Sequence, residues 1–174
     1  VQNKVIYAGD NVTDSLKQTV PPRVALIHAT ALAIEPIAAA FKRHWPQAKC
    51  MHLLDDSLSS DHAANAGVLS DAMTQRFVAL AHYAKGTGCQ AILFTCSAFG
   101  PAIEAARQVC GLPTLKPNEA MFEDALALTA KSTSTVKLGI VATFEASLPP
   151  MTAELQAKAH QSGRSIQIQT VFVP

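Results

Sequence analysis

Little in this chain points to a polyanionic, membrane or metal partner. Asp, Glu, Lys and Arg make up 16% of its 174 residues, and the formal net charge is +1. Aromatic residues are 6% of the chain, with no basic run beside them. The pattern that grips single-stranded nucleic acid is therefore missing, and the balanced charge argues against nucleic acid or a lipid surface as partner. No apolar run is long enough to cross a bilayer. Lys4, Asp10, Asp14 and Lys17 interrupt the N-terminus, which does not read as a secretory signal. The four cysteines, Cys50, Cys89, Cys96 and Cys110, include no C-x-x-C pair. That removes the zinc-ribbon and thioredoxin-like readings, and a disulfide framework does not suit a Cys-poor chain of this size. No His/Cys/Asp cluster has metal-ligand spacing. These absences describe a cytoplasmic protein with no metal site.

Several phosphate and nucleotide signatures are absent as well. There is no G-x-x-x-x-G-K-[ST] loop, no G-x-G-x-x-G and no G-x-S-x-G. A cysteine phosphatase needs Arg six residues after its nucleophile, and here Ala102 stands six after Cys96.

What the chain does contain is alternation. Hydrophobic residues are 49% of the total, enough for a sizeable core. Apolar runs at 24–28, 49–54, 91–94, 113–115, 137–142 and 166–173 read as strands. Helical spacing follows most of them: Ile34 to Phe41, Val68 to Ala84, Pro101 to Cys110, Met121 to Thr129 and Leu148 to Ala159. Residues 58–64 read as a polar loop, and Val5-Ile6-Tyr7 as a short strand. Strands alternating with helices predict an α/β fold built on parallel sheets. The expected division is an N-terminal arm over 1–22, a first α/β lobe over 23–112 and a partial second lobe over 113–174.

One stretch organises the rest. Ala91-Ile92-Leu93-Phe94 is a strand covered on both faces, Thr95-Cys96-Ser97 a polar turn, and Gly100-Pro101 a helix start. Cys96 thus falls where a parallel strand hands over to a helix, the edge at which open α/β sheets bind ligands. Backbone N–H groups and the helix dipole favour an anion there, and a thiolate over a thiol. Thr30, Asn118 and Thr143 fall just past other strand ends, so hydroxyl and amide groups converge on one edge and would suit a carboxylate. The alternative for Thr30, Asn118 and Ser147 is plain helix capping. Cys50, Cys89 and Cys110 read as packing residues. His28 reads as a structural histidine within reach of a ligand, His44, His52, His62, His82 and His160 as ordinary ones, and Glu104, one turn into the helix after Cys96, as a charge that favours the helix dipole.

From the Thr95-Cys96-Ser97-Ala98-Phe99-Gly100-Pro101 motif, the chain resembles the aspartate/glutamate/hydantoin racemase superfamily. Arg23 to Thr30, Lys116 to Ala125 and Leu138 to Thr143 resemble its opening strand, its entry into the second lobe and a substrate-binding strand end. The resemblance implies two pseudo-symmetric α/β lobes with parallel sheets flanked by helices, and a site between them that needs no cofactor. It implies a racemase or isomerase acting on an amino acid or related small carboxylate. Cys96 is then the catalytic thiol acid/base. Thr95, Ser97 and Ala98 shape its turn and donate hydrogen bonds, and Thr30, Asn118 and Thr143 bind substrate. In the family a second cysteine faces the first across the substrate, from a later strand; Cys110 is too close to Cys96 to play that part. The first residue, Val rather than Met, and the closing apolar run suggest a piece of something longer. A homo-oligomer is the expected assembly. Two alternatives stay open: a dicarboxylate isomerase or arylmalonate-type decarboxylase on the same scaffold, and a non-catalytic carboxylate-binding domain.

Overall fold

The structure is a computed structural model that describes residues 20–129 and 134–174. The proposed N-terminal arm, with its Val5-Ile6-Tyr7 strand, lies almost wholly outside them. Two parallel sheets carry the described chain. The first has four strands in the order β2-β1-β3-β4: β1 is Arg23–His28, β2 Lys49–Leu54, β3 Ala91–Phe94 and β4 Thr114–Leu115. The second has two, β5 (Val136–Ala142) and β6 (Ile166–Phe172). β4 pairs with β3, which assigns Thr114–Leu115 to the first sheet; the sequence division at residue 112 placed it with the second lobe.

Burial follows strand position. β1 lies between two neighbours and buries Val24 to His28, a near-continuous apolar run. β2 is the sheet edge and is only partly covered. Around this sheet run α1 (Ile34–His44), α2 (Ser57–Ala64), α3 (Asp71–Gly86) and α4 (Gly100–Cys110). α3 buries Met73, Phe77, Ala81 and Ala84 along one stripe, and α4 buries Ala102, Ile103, Ala106 and Cys110. The small residues on both stripes let α3 and α4 pack against each other. Ser70 caps α3 by accepting from the Met73 N–H at 3.2 Å. Gly111 ends α4 at φ 70°, a left-handed conformation that suits glycine.

α2 corrects the sequence reading, which left residues 58–64 as a loop. Leu58 and His62, one turn apart, are buried and anchor an otherwise polar helix. α3 also begins later than the apolar spacing suggests, at Asp71, and Val68 is exposed. The second lobe packs α5 (Glu119–Leu128) and α6 (Leu148–Gln161) on β5 and β6 through Phe122, Leu126, Ile140, Met151, Leu155 and Ala159. Its outer strand leaves Val171 and Phe172 exposed.

The segment after β4 is held by charge. Glu119 accepts from the Arg107 guanidinium and, at 3.1 Å, from the Lys116 backbone N–H. The Lys116 Nζ stands 3.0 Å from Glu154 Oε1 on α6. That oxygen is buried and lacks a hydrogen bond of proper direction, so the contact is an ion pair by distance alone. Burial by itself would raise the Glu119 carboxyl; the hydrogen bonds from Arg107 and Lys116 and their charges outweigh it and hold the group below the usual carboxylate range.

Two expectations follow. Phe77 packs its ring on Phe94 and Phe99, with centroids 5.3 and 4.9 Å away, directly under the Cys96 turn. Phe77→Ala should cost about 3–5 kcal/mol in a denaturant titration. Glu119 is a depressed carboxylate, so its contribution is present above the ordinary Glu range and lost as pH falls through the lowered value. Glu119→Gln should therefore lose about 1–2 kcal/mol at pH 7, and its unfolding curve should converge with that of the parent chain in acid.

Candidate active site

The strand order decides where a crevice opens. The chain leaves β1 through α1 towards β2, then crosses back to place β3 on the other side of β1. The connections from β1 and β3 therefore depart in opposite directions, and the space beyond their carboxyl ends is the topological switch point. Ile27 pairs with Phe94, so His28-Ala29-Thr30 and Thr95-Cys96-Ser97 emerge side by side. The Thr95 N–H donates to the Ile27 carbonyl at 3.0 Å, carrying the pairing one residue past β3.

Cys96 is half-buried against the first core. It has extended dihedrals, φ −118° and ψ 122°, and stands at the N-cap position of a 3-10 turn, Ser97–Phe99, which runs into α4. Its side chain makes no cap hydrogen bond, yet the Ala98 backbone N–H lies near enough to favour the thiolate. Burial opposes that and is the larger effect: the Cys96 thiol is raised above its ordinary value. This overturns the expectation of an acidified sulfur. α4 itself starts only at Gly100, so its dipole end is not at the sulfur, while the buried Ala98 and Phe99 remove water from the turn.

The turn after Cys96 touches the second lobe. Ser97–Phe99 packs against α6 and against a second 3-10 turn, Glu145–Ser147, that follows β5. Thr143, exposed, lies just before that second turn. Thr30 caps the 3-10 turn after β1 by accepting from the Leu32 N–H at 3.4 Å. Ser97 is half-buried and Ala98 buried. Thr30, Thr95, Cys96, Ser97 and Ala98 thus share one edge of the first sheet, and the turn after Thr143 meets Ser97–Phe99 across the seam between lobes. Asn118 is placed differently. It is half-buried at the start of α5, with no cap bond from its side chain, beside the Lys116–Glu119 segment that ties to α4.

Sequence reasoning missed the partners of Thr95. Its hydroxyl is 2.9 Å from His28 Nδ1, and His28 Nε2 is 2.9 Å from His52 Nδ1. His28 is fully buried, and its ring stacks on that of His52 with centroids 5.2 Å apart. Burial, and secondarily His52, lower the His28 value and keep the ring neutral. The β1–β2 register, which pairs Leu26 with His52, brings these rings together; nothing local in the sequence announces it. Glu104, read as a simple helix-dipole charge, also accepts from Arg107 at 3.2 Å.

The other thiols lie elsewhere. Cys110 is buried at the far end of α4 against the Ala81 carbonyl, Cys89 is buried before β3, and Cys50 sits within β2. Two clefts of about 610 and 470 Å³ open around Arg107, Lys116 and Glu119, and Cys96 lines neither. Among the described residues, no three His, Cys, Asp or Glu side chains come together as a metal site, and no helix is long and apolar enough to cross a membrane.

The family model of the Asp/Glu/hydantoin racemases matches residues 12–170. The chain belongs to that family. No curated protein matches it closely enough to add to this. Among solved structures, the chain is similar to glutamate racemase from Aquifex pyrophilus, at 18% identity and a TM-score of 0.60 over 85% of this chain and 54% of that one. A Yersinia pestis protein assigned as an Asp/Glu racemase gives 16% and 0.61, over 84% and 64%. Unliganded arylmalonate decarboxylase gives 15% and 0.55, over 88% and 62%. At such identities the likeness is one of fold: two lobes, each a parallel sheet flanked by helices. The chain spans between 54% and 64% of the length of these relatives.

Because Cys96 is a raised thiol, its reaction with iodoacetamide should be slow near neutral pH. Read by peptide mass spectrometry at Cys96, the rate should rise with a midpoint above that of a free cysteine. A midpoint below the free-thiol value would contradict a thiol raised by burial.

Proposed function

We propose that this racemase-family chain supplies the first thiol acid/base of a cofactor-independent racemase or isomerase that acts on an amino acid or related small carboxylate. The observation that carries the reading is the position of Cys96, half-buried at the switch point of the first sheet with the Ala98 N–H beside its sulfur. In this reading the thiolate removes the proton next to the substrate carboxylate, or the thiol returns one. A raised thiol fits that work: it keeps its proton until a carbanion appears, and its conjugate thiolate is the stronger base. The Ser97 hydroxyl, the Ala98 N–H and the hydroxyls of Thr30 and Thr143 offer donors to a carboxylate whose negative charge grows as the α-carbon loses its proton. Asn118, at the start of α5, would add an amide. The first lobe contributes the sulfur and the second the opposite wall, so the seam along α6 and the Glu145–Ser147 turn becomes the substrate cleft.

A second reading draws on the distribution of the thiols. Cys96 is the sole described cysteine at this edge. One thiol suffices to protonate the carbanion left by loss of carbon dioxide from a malonate, as in an arylmalonate-type decarboxylation. Solvent exchange separates the two. With aspartate, glutamate, maleate and a substituted malonate in deuterium oxide, racemisation places deuterium at the α-carbon of an unchanged skeleton. Decarboxylation places it in a shortened product.

Cys96→Ser should lower whichever activity is found by roughly 10²- to 10⁴-fold, with little change in thermal midpoint. Full exchange in Cys96→Ala, measured by loss of the α-proton NMR signal, would remove the thiol from the mechanism.

A further inference from the structure

We propose that His28, held by His52, is a positioning residue for Cys96: through the Thr95 hydroxyl it fixes the strand end that presents the sulfur. The catalytic meaning of this rests on Cys96 being the acid/base group, whereas the positioning itself does not.

The Ile27 carbonyl, 3.3 Å from Thr95 Oγ1, can only accept, so the Thr95 hydroxyl donates to it. Thr95 Oγ1 then accepts from His28 Nδ1–H at 2.9 Å. A neutral His28 with its proton on Nδ1 has a lone pair on Nε2, which accepts from His52 Nδ1–H, also at 2.9 Å. Thr95 and His28 each donate one bond and accept one, and the run of bonds polarises in one direction. Its partners lie on three adjacent strands or strand ends, with His28 buried in the middle.

What this run secures is the backbone of Thr95. Its N–H is already tied to Ile27; the hydroxyl now ties its side chain to the same strand. Cys96 is extended, so its Cβ points to the face opposite that of Thr95. Fixing the Thr95 side chain and the peptide plane after it therefore fixes the direction of the sulfur, and with it the approach of the Ala98 N–H. A side chain that merely filled space at residue 28 would do none of this.

The two carboxamides distinguish these roles. Asn at 28 places its amide donor where Nδ1 stands and keeps the bond to Thr95. Gln reaches the Nε2 position, towards His52, and abandons Thr95. Cys96 reactivity is read as the pH profile of alkylation by iodoacetamide in the 174-residue chain, localised by peptide mass spectrometry, with the thermal midpoint of each variant beside it. His28→Gln and Thr95→Val should slow the reaction at pH 8 by roughly three- to tenfold, the worth of one hydrogen bond, with the rate recovered at higher pH. His28→Asn and Thr95→Ser should restore the profile to within about twofold. If His28→Asn, the smaller residue, is as slow as or slower than His28→Gln, the position is one of packing and the proposal is overturned. An unchanged profile in Thr95→Val overturns it equally, and should the His28 variants fail to fold, the Thr95 pair decides. These outcomes are independent of turnover. An unreactive Cys96→Ser in solvent exchange, or a fully active one, bears on the function alone.

Discussion

The site depends on a constraint of chain geometry. A parallel sheet in the order β2-β1-β3-β4 requires the chain to go out on one side of β1 and return on the other. Beyond the ends of β1 and β3 the connecting segments part, and backbone groups there have no strand neighbour to satisfy them. The chain fills the gap with short polar residues: Thr30 caps one turn, Thr95 is tied back to β1, and Cys96 stands at the head of another turn. Phe77, Phe94 and Phe99 pack below the turn, and α6 and the Glu145–Ser147 turn of the second lobe meet it from the other side.

Burial and charge do different work in the two halves of that seam. Cys96 packs against the apolar core of the first lobe, and its thiol is raised. Around Lys116, Glu119, Arg107 and Glu154 the contacts are ionic and lie between α4, the segment after β4 and α6. Beyond their contribution to stability, these ion pairs have direction and fix how the chain turns from one sheet to the next. The first region is shaped by burial, the second by charges that join α4 to α6 beside it.

Much of the fold was legible in local pattern. β1 and β3 are short apolar runs with nothing else to be, Pro101 lies in the first turn of α4, and Gly111 and Gly163 follow helix ends with positive φ. Where the reading failed, the missing information was tertiary. Ser57 to Ala64 looks like a loop because its helix rests on only two buried side chains, Leu58 and His62. β4 is two residues long, and its allegiance is set by β3 rather than by its own sequence. His28 and Thr95 are 67 residues apart and His52 is 24 from His28; no spacing rule connects them. The Cys96 motif was visible, but its acidity was misjudged because desolvation is set by neighbours, not by the motif.

That misjudgement bears on the chemistry. A thiolate stabilised by a helix end is a good nucleophile or leaving group, but a weak base. Abstracting a proton next to a carboxylate demands the opposite: a sulfur whose affinity for the proton has been kept high by burial and is met by donors aimed at the substrate rather than at the sulfur itself. In this chain the nearby N–H of Ala98 only partly offsets burial. A raised Cys96 is therefore the more consistent partner for carbon acid chemistry than the acidified thiol that its place before a helix suggests.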